Sequence, residues 1–406
     1  MTVAKARGLG PAFDLLARYW PPNGFYFERA GLGLAGAGAA ERILVPAGPE
    51  QLSTAARWIK QPLRRFRSAD AIPVAVAAFP FDGTREASIT IPSFLVRRDV
   101  EDETRELKIG EGMWHFHDEA LIGGSPHDEF VDVQLRPVPP PTGYAYAVAS
   151  ALDKIHTGDL RKVVLARTLE VQADRELDPK RLVHRLRAVD PDCYAFAVPS
   201  ADGTLVGASP ELLVSRRGLV VSANPLAGSA PRSGDPDEDR ANAQALGSSA
   251  KDRQEHAFVV EHVFRVLKPL CEELRHDPEP QLLATANVWH LSTRFSGRLK
   301  RPAPTALELV AALHPTPAVC GTPTATAAAA IAELEPFERG WYAGPVGWVD
   351  ADGDGEWALA LRCAELVGDR ATLYAGAGIV ADSEPERELD ETERKFRAFL
   401  DSLRWG

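Results

Sequence analysis

The chain has 406 residues, 45% hydrophobic and 25% charged, enough to bury a large core and typical of globular proteins. Its 57 acidic against 46 basic residues give a net charge of −11, which argues against a nucleic-acid partner because phosphate neutralisation needs a basic surface. The sequence contains no apolar run long enough for a membrane span, and MTVAKARGLGPAF lacks the apolar stretch of a secretory signal. Cys193, Cys271, Cys320 and Cys363 are far apart without CxxC spacing, so they read as buried thiols of a cytoplasmic protein.

The early chain alternates strand-like runs (GFYFERA, ERILVPA, IPVAVAAFPF, ASITIPSFLVRR) with helical stretches such as PEQLSTAARWIKQPLRRF. A polar segment from about Asp99 to Pro141 ends in PVPPP and punctuates two halves. A helix follows (GYAYAVASALDKIHTG), then a β-branched strand (RKVVLARTLEV), a helix (DPKRLVHRLRAV), a strand (CYAFAV) and a hairpin-like pair (TLVGASPELLVSRRGLVVSA). One long charged helix is expected from about Asp237 through Lys268. Two strands around a Gly/Asp turn (GPVGWVDADGDGEWALALRCAEL), a strand entering a glycine loop (DRATLYAGAGIV) and a charged helix complete the chain. Successive hairpin-paired strands interleaved with helices predict an α+β fold with large antiparallel sheets.

Two motifs fail on context. Gly31, Gly33 and Gly36 match G-x-G-x-x-G, but they lead into a strand instead of opening the helix a dinucleotide site needs. Asp350, Asp352, Asp354 and Gly355 imitate the start of a calcium loop, yet Leu361 stands where the bidentate acid belongs, and a hairpin turn is the plainer account.

Six segments carry a coherent signal: KVVLAR (162–167), GASPELL (207–213), NPLAGSAPR (224–232) with KDRQEH (251–256), VWHLSTRFSG (288–297), HPTPAVCGTP (314–323) and AGAGIVADSEPERELDET (375–392). Together, in this order, they resemble the chorismate-utilising enzymes, which include anthranilate, aminodeoxychorismate, salicylate and isochorismate synthases. The resemblance is strong over residues 145–402. It implies one large domain over 1–406, with antiparallel sheets packed as a sandwich and helices outside.

Chorismate is a dicarboxylate whose ring hydroxyl must leave, so its site needs cationic groups, an acid and a base. The resemblance makes Lys162 the general base that activates water, although a strand-end lysine alone more often reaches for solvent. It makes Glu211 the general acid for the leaving hydroxyl, where a plain strand carboxylate would face water, and a desolvated carboxyl keeps its proton nearer neutral pH. His290 touches that hydroxyl or sits as a satisfied core histidine. Glu255, Glu388 and Glu391 are implied ligands of Mg²⁺, the last two sharing a helix face at i, i+3, and oxygen donors suit that hard cation. Arg362 is expected to hold a carboxylate, with Lys395, Gly228, Ser229, Gly376 and Gly378 around the substrate. The competing reading of Lys395 is a surface ion pair with Glu391.

The HPTPAV segment, with a small apolar Ala318 where ammonia-using relatives tend to carry threonine, resembles the isochorismate synthase version, as does NPLAGSAPR its siderophore-pathway form. The expected reaction is Mg²⁺-dependent, reversible conversion of chorismate to isochorismate, serving siderophore or menaquinone synthesis. The alternatives are a salicylate synthase or a non-catalytic chorismate-binding protein. No glutaminase subunit is expected, and the chain reads as a monomer.

Overall fold

The computed structural model describes residues 5–9, 14–99, 104–110 and 131–404. Two large sheets and one small one, in which every registered strand pair is antiparallel, organise the described chain. In the twelve-stranded sheet, Gly24–Arg29 pairs with Tyr194–Pro199, so the N-terminal third continues directly into the second half. The strand Lys162–Ala173 lies beside Arg370–Ile379 at the other side of this sheet. The nine-stranded sheet runs from Cys271–His276 through Leu212–Arg217 and Gly355–Leu359 to the edge strand Glu41–Val45. The small sheet joins Leu226–Pro231, Val288–Ser292 and Gln281–Ala284.

Strand periodicity sorts the core. Successive side chains point to opposite faces, so Phe25, Phe27, Val163, Leu165 and Phe196 join the core shared with the nine-stranded sheet, including Val76, Val214, Trp348 and Trp357. Their chain neighbours Tyr26, Ala195 and Ala197 join a second core against the helices Pro179–Val189 and Pro385–Arg404, which also takes Leu169 and Val171 from the far half of the long strand Lys162–Ala173.

Several elements depart from the expectation in instructive ways. The long charged helix is two helices, Pro236–Ser248 and Ala250–Leu267. Ser249 is extended, and its hydroxyl accepts from the Asp252 N–H as an N-cap, restarting the ladder. The run 49–66 is likewise split into Gln51–Trp58 and Lys60–Phe66. Gly376 and Gly378 lie inside the strand Arg370–Ile379, opposite Ala166 and Val164, and form no glycine loop. The PVPPP segment closes the strand Val133–Val138 and opens the helix Pro141–His156, and its strand pairs with Lys162–Ala173 instead of separating two halves; most of the polar stretch before it lies outside the described residues. The expected hairpin-like pair is three strands. Thr204–Ser209 belongs to the large sheet, and only Leu212–Arg217 and Val220–Asn224 form a hairpin, in the nine-stranded sheet. The chain therefore changes sheets across Pro210 and Glu211.

Of the three glycines Gly31 alone lies in a turn, Gly33 and Gly36 being part of the strand Leu32–Ala37, while the aspartate motif is a turn. Ala30 and Gly31, with positive φ, join Gly24–Arg29 to Leu32–Ala37. The Asp350 carboxylate accepts from the N–H groups of Asp352 and Asp354 in the turn between Pro345–Asp350 and Gly355–Leu359.

A buried ion pair fastens the segment 314–323 to the strand beginning at Lys162. Arg339 donates to Glu335 at 2.8 and 2.6 Å and to the carbonyls of Val319 and Val164 at 2.7 Å, while Glu335 also accepts from the Ala166 N–H. Arg339→Ala would leave a buried carboxylate uncompensated and is expected to lower stability by about 3–5 kcal/mol. Urea unfolding monitored by circular dichroism checks this, and a loss well under 1 kcal/mol would contradict the assigned role.

Candidate active site

A cleft of about 650 Å³, open mouth included, lies where the large sheet, the small sheet and the C-terminal helix meet. Glu211, Glu255, Glu391, His290, Arg362 and Lys395 line it, together with Gly228, Ser229, Ala318, Gly376 and Gly378. Lys162 and Glu388 stand immediately behind this wall, in contact with Glu255 and close to Glu391 respectively.

Lys162 is fully buried and does not reach solvent. Its Nζ lies 3.1 Å from Glu255 Oε1, close enough for an ion pair, but is left without a hydrogen bond of good geometry. Gly378 makes this approach possible. A Cβ there would stand 2.0 Å from Glu255 Oε1 and 3.2 Å from Lys162 Cε, so no other residue fits without displacing the pair.

Glu211 occupies the two-residue link between the large sheets and is 3% exposed. Its N–H donates to Ser209 Oγ and its carbonyl accepts from the Leu359 N–H, which fixes the backbone on both sides. Burial pushes its carboxyl up to about 8, against the opposing pull of the Leu226 N–H and of Lys162 and Lys395. At neutral pH this side chain holds a proton it can donate.

His290 lies opposite Ser229 in the small sheet. Arg362 donates to its Nε2 at 3.1 Å, which leaves Nδ1 to donate to the Gly228 carbonyl at 3.3 Å. Burial, then Arg362 and Lys395, push the imidazole down to about 3, so it stays neutral and orients the guanidinium. Arg362 itself has φ of +48°, a strained setting for a long side chain and one that recurs at functional sites.

The C-terminal helix delivers Glu388, Glu391 and Lys395 from successive turns. Lys395 donates to Glu391 at 2.6 Å and to the Gly376 carbonyl at 2.7 Å. This ion pair is largely buried, so the surface-pair reading of Lys395 fails. Burial disfavours the charge on Glu391, yet Lys395 and the Ser229 hydroxyl hold its carboxyl below the usual range. Glu388 shifts the other way, pushed up by burial and by the charge of Glu391 despite a 2.5 Å bond from Lys251.

Among the described residues no three Asp, Glu, His or Cys side chains stand together as a ready ligand set. Glu255, Glu388 and Glu391 instead engage Lys162, Lys251 and Lys395. Their donor chemistry still fits a hard divalent cation, since all are oxygen ligands and the conflict between Glu388 and Glu391 is one that such an ion relieves.

Sequence reasoning missed Lys251, although it opens KDRQEH, and it missed Tyr342 and Tyr374, which stack at 5.2 Å and line the cleft. Lys251 was legible as part of that motif. The two tyrosines lie in no motif, and no signal marks them.

The sequence profile of the family described as "Chorismate binding enzyme" matches residues 14–404. Isochorismate synthase DhbC of Bacillus subtilis is 41% identical over 396 residues, covering 96% of this chain and 95% of that protein. Isochorismate synthase EntC of Escherichia coli K12 is 39% identical over 329 residues, covering 81% and 80%. The solved structure of MenF, the menaquinone-specific isochorismate synthase of Escherichia coli, superposes with a TM-score of 0.84 at 25% identity, covering 99% of this chain and 95% of that one.

The Glu211 shift has a stability consequence. The folded state keeps the proton up to about 8, whereas the unfolded chain releases it near its ordinary 4.5. Between those values the folded state binds more protons, so stability falls as pH rises through this window and stays lower above it. Glu211→Gln removes the effect. The melting temperature of the variant, relative to the parent, should therefore climb between pH 5 and pH 8.5 in a fluorimetric series; a flat difference would refute the burial argument.

Proposed function

The chain belongs to the chorismate-binding enzymes, and on that footing we propose that it is an isochorismate synthase in which Lys162 and Glu211 are the base and acid. Water attacks C2 of chorismate, the ring double bonds shift, and the C4 hydroxyl leaves. Lys162 takes the proton of the attacking water, and Glu211 gives its proton to the departing oxygen, so the product is an isomer of the substrate and the reaction runs both ways. The observation that carries this reading is a buried pair of opposite function, Glu211 lining the cleft and Lys162 just behind its wall. An amine lacks a hydrogen bond, and a carboxyl is kept protonated near neutral pH.

Arg362, held by His290, and Lys395, held by Gly376 and Glu391, supply fixed cationic groups for the two carboxylates. His290 is thus a positioning residue, since its nitrogens are engaged by Gly228 and Arg362 instead of being free for the leaving hydroxyl. Ala318 lines the cleft with its N–H directed to the Thr316 hydroxyl, presenting only a methyl to the substrate. Glu255, Glu388 and Glu391 would hold Mg²⁺, which supplies a positive charge for the ring carboxylate. The chain acts without a glutaminase subunit, because water is the nucleophile, and as a monomer. No helix is long and apolar enough to cross a membrane among the described residues, and the site of action is the cytoplasm. The pathway served is siderophore or menaquinone synthesis.

Purified protein incubated with chorismate and Mg²⁺ should yield isochorismate in equilibrium with chorismate, identified by chromatography and mass, and chelation should abolish turnover. Salicylate with pyruvate, or no conversion, would overturn the assignment. Lys162→Ala and Glu211→Gln should each lower kcat by about 10²–10⁴, the usual worth of a general acid or base. In the parent enzyme, kcat should fall as pH rises through about 8, where Glu211 loses the proton it must donate; activity rising through that range would exclude Glu211 as the acid.

A further inference from the structure

The small sheet is an extension of the nine-stranded one. Val220–Asn224, Phe295–Leu299 and Cys271–His276 lie side by side at the end of that sheet, and their chain continuations Leu226–Pro231, Val288–Ser292 and Gln281–Ala284 form the small sheet. The two sheets meet at one crease. There the Thr293 N–H donates to the Pro225 carbonyl at 3.4 Å, and Ser292 Oγ donates to Asn224 Oδ1 at 2.7 Å. Beyond the crease the small sheet carries Gly228, Ser229 and His290 into the cleft.

His256 stands against this crease from the helix Ala250–Leu267, one residue after Glu255. It is buried and lines no part of the cleft. Its Nε2 is hydrogen-bonded to Oγ1 of the buried Thr293 at 2.7 Å, and the Ala227 backbone lies against the ring. Burying two polar side chains is costly unless they pair. Filling space would not call for such a pair; what it adds is a fixed direction between helix and crease. Ala227 opens a bulge: the register with Val288–Ser292 shifts between Ala227 and Ser229, and Gly228 has φ of +74°. A Cβ on Gly228 would stand 3.0 Å from Asp252 Cβ, so the bulge is packed on the first turn of the same helix. Bulges re-aim groups beside active sites. This one turns the Gly228 carbonyl to His290 Nδ1 and the Ser229 hydroxyl to Glu391.

We propose that His256 is a positioning residue. Through Thr293 and Ala227 it sets the small sheet against the helix that carries Glu255, and thereby fixes the bulge at Gly228 and the His290 tautomer that holds Arg362. That tautomer carries its proton on Nδ1, donated to the Gly228 carbonyl, and accepts from Arg362 at Nε2. The consequence for turnover rests on the isochorismate synthase reading, whereas the consequence for His290 does not.

The chain has ten histidines, so the ring signals of full-length protein carrying ¹⁵N-histidine can be resolved, and those of His290 are identified by their loss in His290→Gln. Thr293→Val removes the hydroxyl and His256→Phe the ring nitrogens, with side-chain bulk kept in both. Each should move the His290 signals away from the pattern of a single Nδ1–H tautomer, although the nitrogens of His290 are engaged elsewhere. Each should also lower kcat for isochorismate formation by about three- to tenfold, the worth of one buried hydrogen bond. The double variant should lose no more than the larger single loss, since both changes remove one interaction. His256→Gln, whose amide reaches Thr293 in place of Nε2, should recover most of it. His290 signals that stay put while kcat falls, as for a contact that only stabilises the fold, would overturn the proposal. So would additive losses, no recovery in His256→Gln, or full activity in Thr293→Val. A parent protein that makes no isochorismate would sink the reading of the reaction, and the His290 signals would still decide the role of His256.

Discussion

The site depends on the pairing of three buried or half-buried carboxylates with three lysines. Lys162 faces Glu255, Lys251 faces Glu388, and Lys395 faces Glu391. Burying a charge is expensive unless it is paired, and these six side chains come from the strand Lys162–Ala173 and the helices Ala250–Leu267 and Pro385–Arg404. Each pair crosses between two of these elements, except Lys395 with Glu391, which stiffens the helix within itself and reaches the neighbouring strand through Gly376. The charge balance holds the strand and the helices together and prepares a polar floor in an otherwise apolar interior. Glu211 has no direct lysine partner, and burial pushes its carboxyl up to about 8.

The sheets supply the precision that loops could not. Lys162, Gly376 and Gly378 sit on adjacent strands in fixed register, so the lysine and the glycine that makes room for its partner are set by backbone hydrogen bonds. Arg339 then ties the segment carrying Ala318 to the same strand through Val164 and Val319. The proposed catalytic groups and those that support them thus share one rigid frame, with a neutral His290 holding Arg362 in place from the small sheet.

Much of this was legible in the sequence, for identifiable reasons. Strands such as GFYFERA and KVVLAR announce themselves by β-branched and aromatic residues, and the six segments of the site keep their order along the chain. What escaped were decisions made by tertiary context. A charge pattern of helical spacing reads as one helix through Ser249, because a single N-cap serine is a weak signal inside a strong period; yet Ser249 followed three residues later by Asp252 was a visible cap. A lysine at the start of an apolar strand looks like a solvent-seeking residue until the helix Ala250–Leu267 covers it. The passage from one sheet to the other is marked locally only by Pro210, which ends a strand but does not tell that Leu212–Arg217 joins a different sheet. Tyr342 and Arg339 sit in a stretch without periodicity, where only packing reveals their partners.

That passage between sheets also bears on which changes of length the chain can absorb. A strand reverses the facing of all its side chains when its register slips by one residue, and Glu211 is joined to two strands of different sheets with a single proline between it and the first. One residue inserted or removed in Thr204–Ser209 or Leu212–Arg217 would turn one sheet's contribution inside out or swing the carboxyl away from the cleft. Divergence among descendants of this chain must therefore place its insertions elsewhere, in turns such as that at Ala201 to Gly203, and the spacing around Glu211 becomes a molecular ruler that evolution can recolour but not stretch.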